Sequence, residues 1–377
     1  MKIMNDTKLD YSDVLLVPKL SKLKSRSEVI LEHHFNFIHY KSHSDAYFDD
    51  YQYFGIPIMA ANMDGVGTFE MADTLRKQGI ITCLVKTYST DELVEFFNAE
   101  IITRTDYVAM SIGTSDSDFA KLYDVYNKCE ENLKYICIDV ANGYSEHFIK
   151  YVENVRKNFP NLIIIAGNVV TADLTEKLIR AGADIVKIGI GPGKFCKTRK
   201  MTGIGYPQLS AIDICADVAH ELGAHVIADG GCSTPSDIAK AFAAGADFVM
   251  LGSMLAGHDE GGGEIVSKYY NPNNEYFFKK VDGTYHPVIE EKKFVKFYGM
   301  SSKTANEKHF GGLKDYRSSE GYEGLVPYRG KVSDTVQEIL GGLRSTCTYV
   351  GATILNELPS RATFIRVSQQ HSGGYQE

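Results

Sequence analysis

Eight short apolar runs, each followed by a polar or glycine-rich turn and then a segment of helical period, predict an α/β protein built as a (β/α)8 TIM barrel. Two further observations support this fold class. The joint Ala181-Gly-Ala-Asp184 recurs as Ala244-Gly-Ala-Asp247, each with a glycine where a helix stops and a strand begins. Polar or glycine residues also close nearly every apolar run, as expected at the C-terminal rim of a barrel. A doubly wound sheet would normally use fewer strands.

The apolar runs are Pro57–Asn62, Ile80–Val85, Tyr107–Ile112, Tyr135–Val140, Leu162–Ala166, Ile185–Ile190, His225–Ala228 and Phe248–Leu251. The helices expected between them cover Thr68–Gln78, Thr90–Glu100, Asp116–Cys129, Tyr144–Asn158, Thr171–Gly182, Tyr206–Leu222 and Ser236–Gly245. Thr90, before Asp91-Glu92, and Thr234-Pro-Ser-Asp237 supply helix starts with acidic charge in the first turn. The barrel core is therefore expected over about 57–260, within one catalytic domain spanning 1–377. It carries an N-terminal extension, and a flap and C-terminal extension over about 297–377. The aromatic and charged alternation within 260–297 predicts a protruding hairpin turning near Asp282-Gly283.

Composition bounds the function. With 44% hydrophobic and 23% charged residues, the chain can build a large soluble core. A net charge of -8 argues against a nucleic-acid partner, since phosphate backbones call for a basic excess. No apolar run approaches a membrane span, and the start lacks a signal-peptide core, so no membrane partner is expected. Seven cysteines without Cys-x-x-Cys spacing fit a reducing, cytoplasmic setting better than a disulfide framework or a zinc site.

The richest segment is Gly189-Ile-Gly-Pro-Gly-Lys-Phe-Cys196-Lys-Thr-Arg-Lys200, just after the sixth run. Its glycines free backbone N–H and carbonyl groups to face an ion. A lone cysteine in a loop is ordinarily inert. At a barrel rim and inside a glycine turn, the balance shifts toward a nucleophile. A thiol of pKa ~8.5 is mostly protonated at neutral pH and needs help, which Lys194, Lys197 and Arg199 could supply. Cys83, Cys137 and Cys215 read as buried packing, and Cys232 as a ligand neighbour that does not react. Gly191–Lys194, Asp229-Gly230-Gly231 and Gly252-Ser253 are candidates for a phosphate site, although any one glycine alone is more simply a turn residue. Asp229 itself suits a ribose diol. Glu320 lies in a glycine-punctuated segment that reads as a closing flap, where it is either an acid/base or merely solvated. The histidines show no ligand-like spacing.

Longer motifs carry a resemblance. Tyr11-Ser-Asp-Val-Leu-Leu-Val-Pro18, Ala61-Asn-Met-Asp64, Asp139-Val-Ala-Asn-Gly-Tyr-Ser-Glu-His147 and Ala166-Gly-Asn-Val-Val170 are four of them. Gly203-Ile-Gly-Tyr-Pro-Gln-Leu-Ser210, Asp229-Gly-Gly-Cys232, Phe297-Tyr-Gly-Met-Ser-Ser302 and Ile339-Leu-Gly-Gly-Leu-Arg-Ser-Thr-Cys-Thr-Tyr-Val350 follow, and the similarity extends to Thr363-Phe-Ile-Arg-Val367. Over nearly its whole length the chain resembles the GMP reductases of the IMP dehydrogenase/GMP reductase superfamily.

That resemblance implies NADPH-dependent reductive deamination of GMP to IMP and ammonia, in purine nucleotide salvage. It gives Cys196 the role of nucleophile at C2 of the guanine ring, with Thr198 and Glu320 handling protons. GMP would meet Asp229, Gly230 and Gly231, then Gly252 and Ser253, then Gly299, Met300 and Ser301. The flap residues Arg317, Ser318, Ser319, Glu320 and Gly321 would complete that site. NADPH would meet Lys86, Asp139, Val140, Ala141, Ile190, Gly191, Met300, Tyr316 and Arg317. Ser25, Arg26, Ser345, Thr346, Cys347 and Thr348 would add contacts partly from a neighbouring subunit of a homotetramer, with Arg26 near the 2′-phosphate. Backbone carbonyls of Gly191, Gly193, Cys196 and Arg199 would hold a monovalent cation such as K+.

The chain departs from the family pattern in four places. Thr87 stands where the family has histidine, Lys194 where it has serine, and Gly65 where it has threonine; segment 260–297 is also longer. IMP dehydrogenase-type oxidation of IMP to XMP with NAD is the neighbouring alternative. It calls for an Arg-Tyr pair on a longer flap and usually for a regulatory domain pair of the CBS type inserted after an early strand, and neither is present here. A non-catalytic purine-nucleotide sensor is the second alternative, but it would need none of Cys196, Thr198 and Glu320.

Overall fold

The computed structural model of the chain describes residues 1, 3–40, 53–99, 104–129, 132–270, 278–281, 284–287, 290–316 and 318–368. Eight parallel strands close into a barrel: β1 (Ile58–Ala60), β2 (Ile81–Cys83), β3 (Val108–Ile112), β4 (Tyr135–Asp139), β5 (Ile163–Val169), β6 (Ile185–Ile188), β7 (His225–Asp229) and β8 (Phe248–Leu251). They pair in chain order, and the pairing of Val249 with Ile58 closes the ring. Strands β3 and β6 are buried along their whole length, as a sheet packed on both faces requires. All eight runs read from the sequence are strands.

Seven helices follow in the expected places: α1 (Phe69–Leu75), α2 (Thr90–Asn98), α3 (Asp116–Cys129), α4 (Glu146–Asn158), α5 (Ala172–Arg180), α6 (Gln208–Glu221) and α7 (Pro235–Ala243). The cap of α2 is one residue earlier than expected. Ser89 Oγ accepts from Glu92 N–H at 3.3 Å, and Ser89 N–H donates to Glu92 Oε2 at 2.7 Å. A reciprocal capping box outranks a lone threonine.

The eighth helix is not within 57–260. Helix α8 (Val332–Val350) packs against α7 and α1 and so fills the gap beside β8, after the chain has built the flap region. Its buried stripe of Val332, Val336, Ile339, Leu340, Leu343, Cys347 and Val350 has the spacing of a core-facing helix. The closed fold therefore depends on residues outside the expected core segment.

The two repeated joints do the same structural work at the bottom of the barrel. Asp184 Oδ2 accepts from Ile164 N–H at 2.8 Å, and Asp247 Oδ2 accepts from Val226 N–H at 2.8 Å. Each aspartate thus clips its own strand's start to the preceding strand. Gly182 and Gly245 have φ of +109° and +103°, and a Cβ on Gly182 would stand 2.6 Å from Arg156 Cβ. An antiparallel strand pair, His33–Phe35 with Tyr53–Gly55, plugs this end through Phe35, whose ring lies 4.4 Å from that of Phe248. Val14–Leu16 pairs with Phe364–Arg366 and ties the two termini together.

At the other end stands a three-stranded sheet of Ile265–Tyr270, Glu290–Tyr298 and Glu323–Pro327. Phe278–Val281 pairs with Thr284–Pro287 as the expected hairpin, and the turn at 282–283 lies outside the described residues.

Candidate active site

A cleft of about 840 Å³ opens at the C-terminal rim, at the upper end of the range for small-molecule sites. The loop after β6 forms one wall. Gly191 (φ +81°) lies where a Cβ would stand 2.6 Å from Arg199 Cγ, and Cys196 N–H closes a tight turn on Gly193 O at 2.9 Å. The Cys196 thiol donates to Thr198 Oγ1 at 3.3 Å, and that hydroxyl donates to Glu320 Oε2 at 2.6 Å. The flap is laced onto this loop by its backbone. Lys197 N–H donates to Glu320 O at 2.6 Å, Tyr322 N–H to Phe195 O at 2.8 Å, and Cys196 forms a β-bridge with Gly321. Residues far apart in sequence are thus joined into one thiol–hydroxyl–carboxylate line.

The basic residues near Cys196 are used otherwise than the sequence suggested. Arg199 is turned away, bonding Asp10 Oδ2 at 3.1 Å and Tyr206 O at 2.6 Å. Lys197 and Lys200 lie over the Tyr322 ring, at 4.5 and 5.5 Å from its centre. Lys194 is exposed on the cleft lining. Cys232 is packed by Tyr11, and burial raises its thiol pKa well above the ordinary range. Burial pushes Cys215 up to about 12.

Sequence reasoning passed over Lys187 altogether. It is the third residue of β6, only 1% exposed, between Asp139 at the end of β4 and Asp229 at the end of β7. Its ammonium pairs closely with Asp139 Oδ1 and lies 3.2 Å from Asp229 Oδ2. Asn168 Nδ2 donates to the same Asp229 oxygen at 2.8 Å. Burial alone would push Asp139 up, but the charge and hydrogen bond of Lys187 outweigh it and hold the carboxyl below its ordinary value. Burial would likewise drive Lys187 toward neutrality, but the two carboxylates hold it well above. The available signal was a lysine inside an apolar barrel strand, which must be paired.

A second unread cluster fixes the flap to β1. Asp64 Oδ2 accepts from Tyr298 OH at 2.6 Å and Lys308 Nζ at 3.1 Å, and lies 2.6 Å from His309 Nε2. Burial raises the Asp64 pKa, but these partners reverse the sign and lower it. Lys308 and His309 belong to the short helix Lys303–His309, and Phe310 just beyond it lies under Lys86, 5.7 Å from Nζ to the ring centre.

The cleft lining includes Lys86, Asp139–Ala141, Ile190, Gly191, Gly193, Cys196, Thr198, Asp229–Gly231, Gly252, Ser253, Gly299–Ser301, Tyr316, Ser318, Glu320 and Gly321. Ser319 is not on the lining; its Oγ donates to Gly321 O at 3.4 Å. Ser25, Arg26 and Ser345–Thr348 do not line it either. The turn Arg26–Glu28 packs against α8, and Cys347 is fully buried. Arg317 lies outside the described residues.

Residues 8–375 match the IMP dehydrogenase/GMP reductase domain. The chain belongs to the IMP dehydrogenase/GMP reductase family. It is 52% identical over 375 residues to the GMP reductase of Vibrio cholerae, covering 100% of this chain and 99% of that protein. It is 50% identical, with the same coverage, to the GMP reductases of Photobacterium profundum and Shewanella pealeana. The similarity therefore runs over the full length of the chain and nearly the full length of these relatives.

Proposed function

We propose that this chain reductively deaminates GMP to IMP and ammonia with NADPH, through a covalent bond between Cys196 and C2 of the purine. The observation that carries the reading is the Cys196–Thr198–Glu320 line, which gives a thiol both a proton acceptor and a relay within hydrogen-bond reach. The Cys196 thiolate adds to C2, and the departing amine takes its proton through Thr198 from Glu320. NADPH, when bound, supplies the hydride that C2 must gain. Re-forming the ring double bond then expels the thiolate and gives IMP.

Gly230, Gly231, Gly252 and Ser253 would offer N–H groups to the phosphate, with Asp229 on the ribose. Met300, Ser301 and the flap residues Arg317, Ser318, Glu320 and Gly321 would enclose the base, with Ser319 turned onto the Gly321 carbonyl. Lys86, Asp139–Ala141, Ile190, Gly191 and Tyr316 would contact NADPH. Ser25, Arg26, Ser345, Thr346 and Thr348 stand off the cleft, and in a homotetramer they would serve a neighbouring subunit's cofactor; the fully buried Cys347 packs within its own protomer instead. For K+, the fit rests on neutral carbonyls. Gly193 O and Arg199 O each accept one N–H and retain a second lone pair, so Gly191, Gly193, Cys196 and Arg199 can still ligate a monovalent ion. Among the described residues no helix is long and apolar enough to cross a membrane. We place the protein in the cytoplasm, the whole chain acting as one catalytic domain.

The test is loss of reduced-nicotinamide absorbance when purified protein meets GMP and NADPH. NADH formation from IMP and NAD without GMP turnover would reverse the assigned direction. Binding of GMP without any turnover would make the protein a sensor. Cys196→Ala should abolish turnover and leave GMP binding largely intact.

A further inference from the structure

One buried cation in the cleft has no place in the chemistry above. Lys187 Nζ stands between two carboxylates that end strands on opposite sides of β6, Asp139 on β4 and Asp229 on β7. Each carboxylate gives the lysine one oxygen. Asp229 Oδ2 is doubly used, by Lys187 and by Asn168 at 2.8 Å, so its Oδ1 remains for a ligand hydroxyl. Both carboxylates are partly exposed to the cleft, 28% and 21%, whereas the lysine is 1% exposed. The two acids therefore present far more surface to a ligand than the ammonium, which lies at the floor of the cleft. Cys137 on β4 and Cys83 on β2 also lie within its electrostatic reach. Lys86 beyond β2 acts on Asp139, and Asn62 beyond β1 hydrogen-bonds it.

We propose that Lys187 is a positioning residue that holds Asp139 and Asp229 as a pair of ribose-diol acceptors, and that this shared counter-ion couples occupancy of the cofactor half of the cleft to occupancy of the nucleotide half. The assignment of the two ribose groups rests on the function proposed above. Without the shared ammonium, Asp139 keeps only Lys86 and Asn62 and Asp229 keeps Asn168, so holding both carboxylates ionised in this half-buried site becomes costlier. Neutralising Lys187 therefore damages both half-sites together, through the two acids it holds.

The experiment compares wild type with Lys187→Met, Lys187→Gln and Lys187→Arg. Kinetics are followed against pH, with GMP and NADPH varied in turn. In both neutral variants, KM for GMP and for NADPH rises together, by roughly tenfold or more. The acid limb of kcat/KM moves up by about one pH unit or more. Lys187→Arg, which keeps the charge, returns that limb to the wild-type position. Equilibrium binding of NADP+ with and without GMP shows coupling in wild type that the neutral variants lose.

Neutral variants with an unmoved acid limb, or with only one KM changed, overturn the assignment. So does failure of both neutral variants to yield folded protein while Lys187→Arg folds, because Lys187 is then a structural counter-ion. Wild type that does not oxidise NADPH with GMP rejects the proposed function instead, and is recognised before any variant is made.

Discussion

Replacing Asp247 by asparagine isolates one electrostatic clip at the bottom of the barrel. Its carboxylate accepts from Val226 N–H at 2.8 Å and sits 2.9 Å from His220 Nε2 and 3.2 Å from His225 Nδ1. Burial pushes its pKa up, but the two histidines more than reverse this and bring it from the ordinary 3.8 down to about 2. At about 1.4 kcal/mol for each tenfold change in proton affinity, the cluster contributes about 2 kcal/mol. A depressed carboxyl stabilises above its unfolded value of about 3.8 and loses that contribution as pH falls through about 2. His220 and His225 both titrate above the ordinary 6.5: Asp247 raises His220 directly, and at His225 it overcomes a burial effect of opposite sign. Their contribution is complete below about 6.5 and is lost as pH rises through their folded values.

The stability difference between wild type and Asp247→Asn should therefore be bell-shaped in pH. It is about 2 kcal/mol near pH 5, shrinks at pH 9 when the histidines are neutral, and approaches zero near pH 2. Urea unfolding at fixed pH values, read by circular dichroism, measures it. A loss that stays constant from pH 3 to pH 9 refutes the electrostatic account and assigns the effect to packing or to the Val226 hydrogen bond.

Glu320→Gln keeps the shape of the flap and removes the proton relay at Thr198; kcat should fall by about 10²- to 10⁴-fold with KM for GMP little changed, by steady-state kinetics. Asp64→Asn removes the shared charge from Tyr298, Lys308 and His309, so limited proteolysis should cut the flap several-fold faster and KM should rise; unchanged cleavage would show that the short helix is held by other contacts. Gly191→Ala places a Cβ against Arg199 at a φ of +81°, which should cost about 1–3 kcal/mol of local strain and activity with it; wild-type turnover would show that the loop relaxes freely.

The barrel was readable because its strands are short apolar runs with polar ends, and the period changes cleanly from strand to helix. Even α3 has the bounds its sequence predicted, Asp116–Cys129. The eighth helix escaped because an amphipathic stripe does not say which surface it covers, and α8 covers one whose strand lies far upstream. Cys196 was conspicuous in its glycine turn. Lys187 was not, since one charged residue in an apolar run resembles noise until its partners on β4 and β7 are in place. The histidines lacked ligand spacing and read as bystanders. His220, His225 and His309 instead meet aspartates across the fold.

Local chemistry and periodicity, together with long motifs, were enough for the sequence to determine the barrel, its reactive rim, the nucleophile candidate and the family. These depend on near neighbours along the chain, where spacing is itself geometry. Only the tertiary structure decided which charges share a partner: Lys187 with two acids, Asp64 with three flap residues, and Arg199 with Asp10 in place of Cys196. A side chain's electrostatic environment is set by distance through space, and closing a barrel brings together strand ends that the sequence keeps far apart.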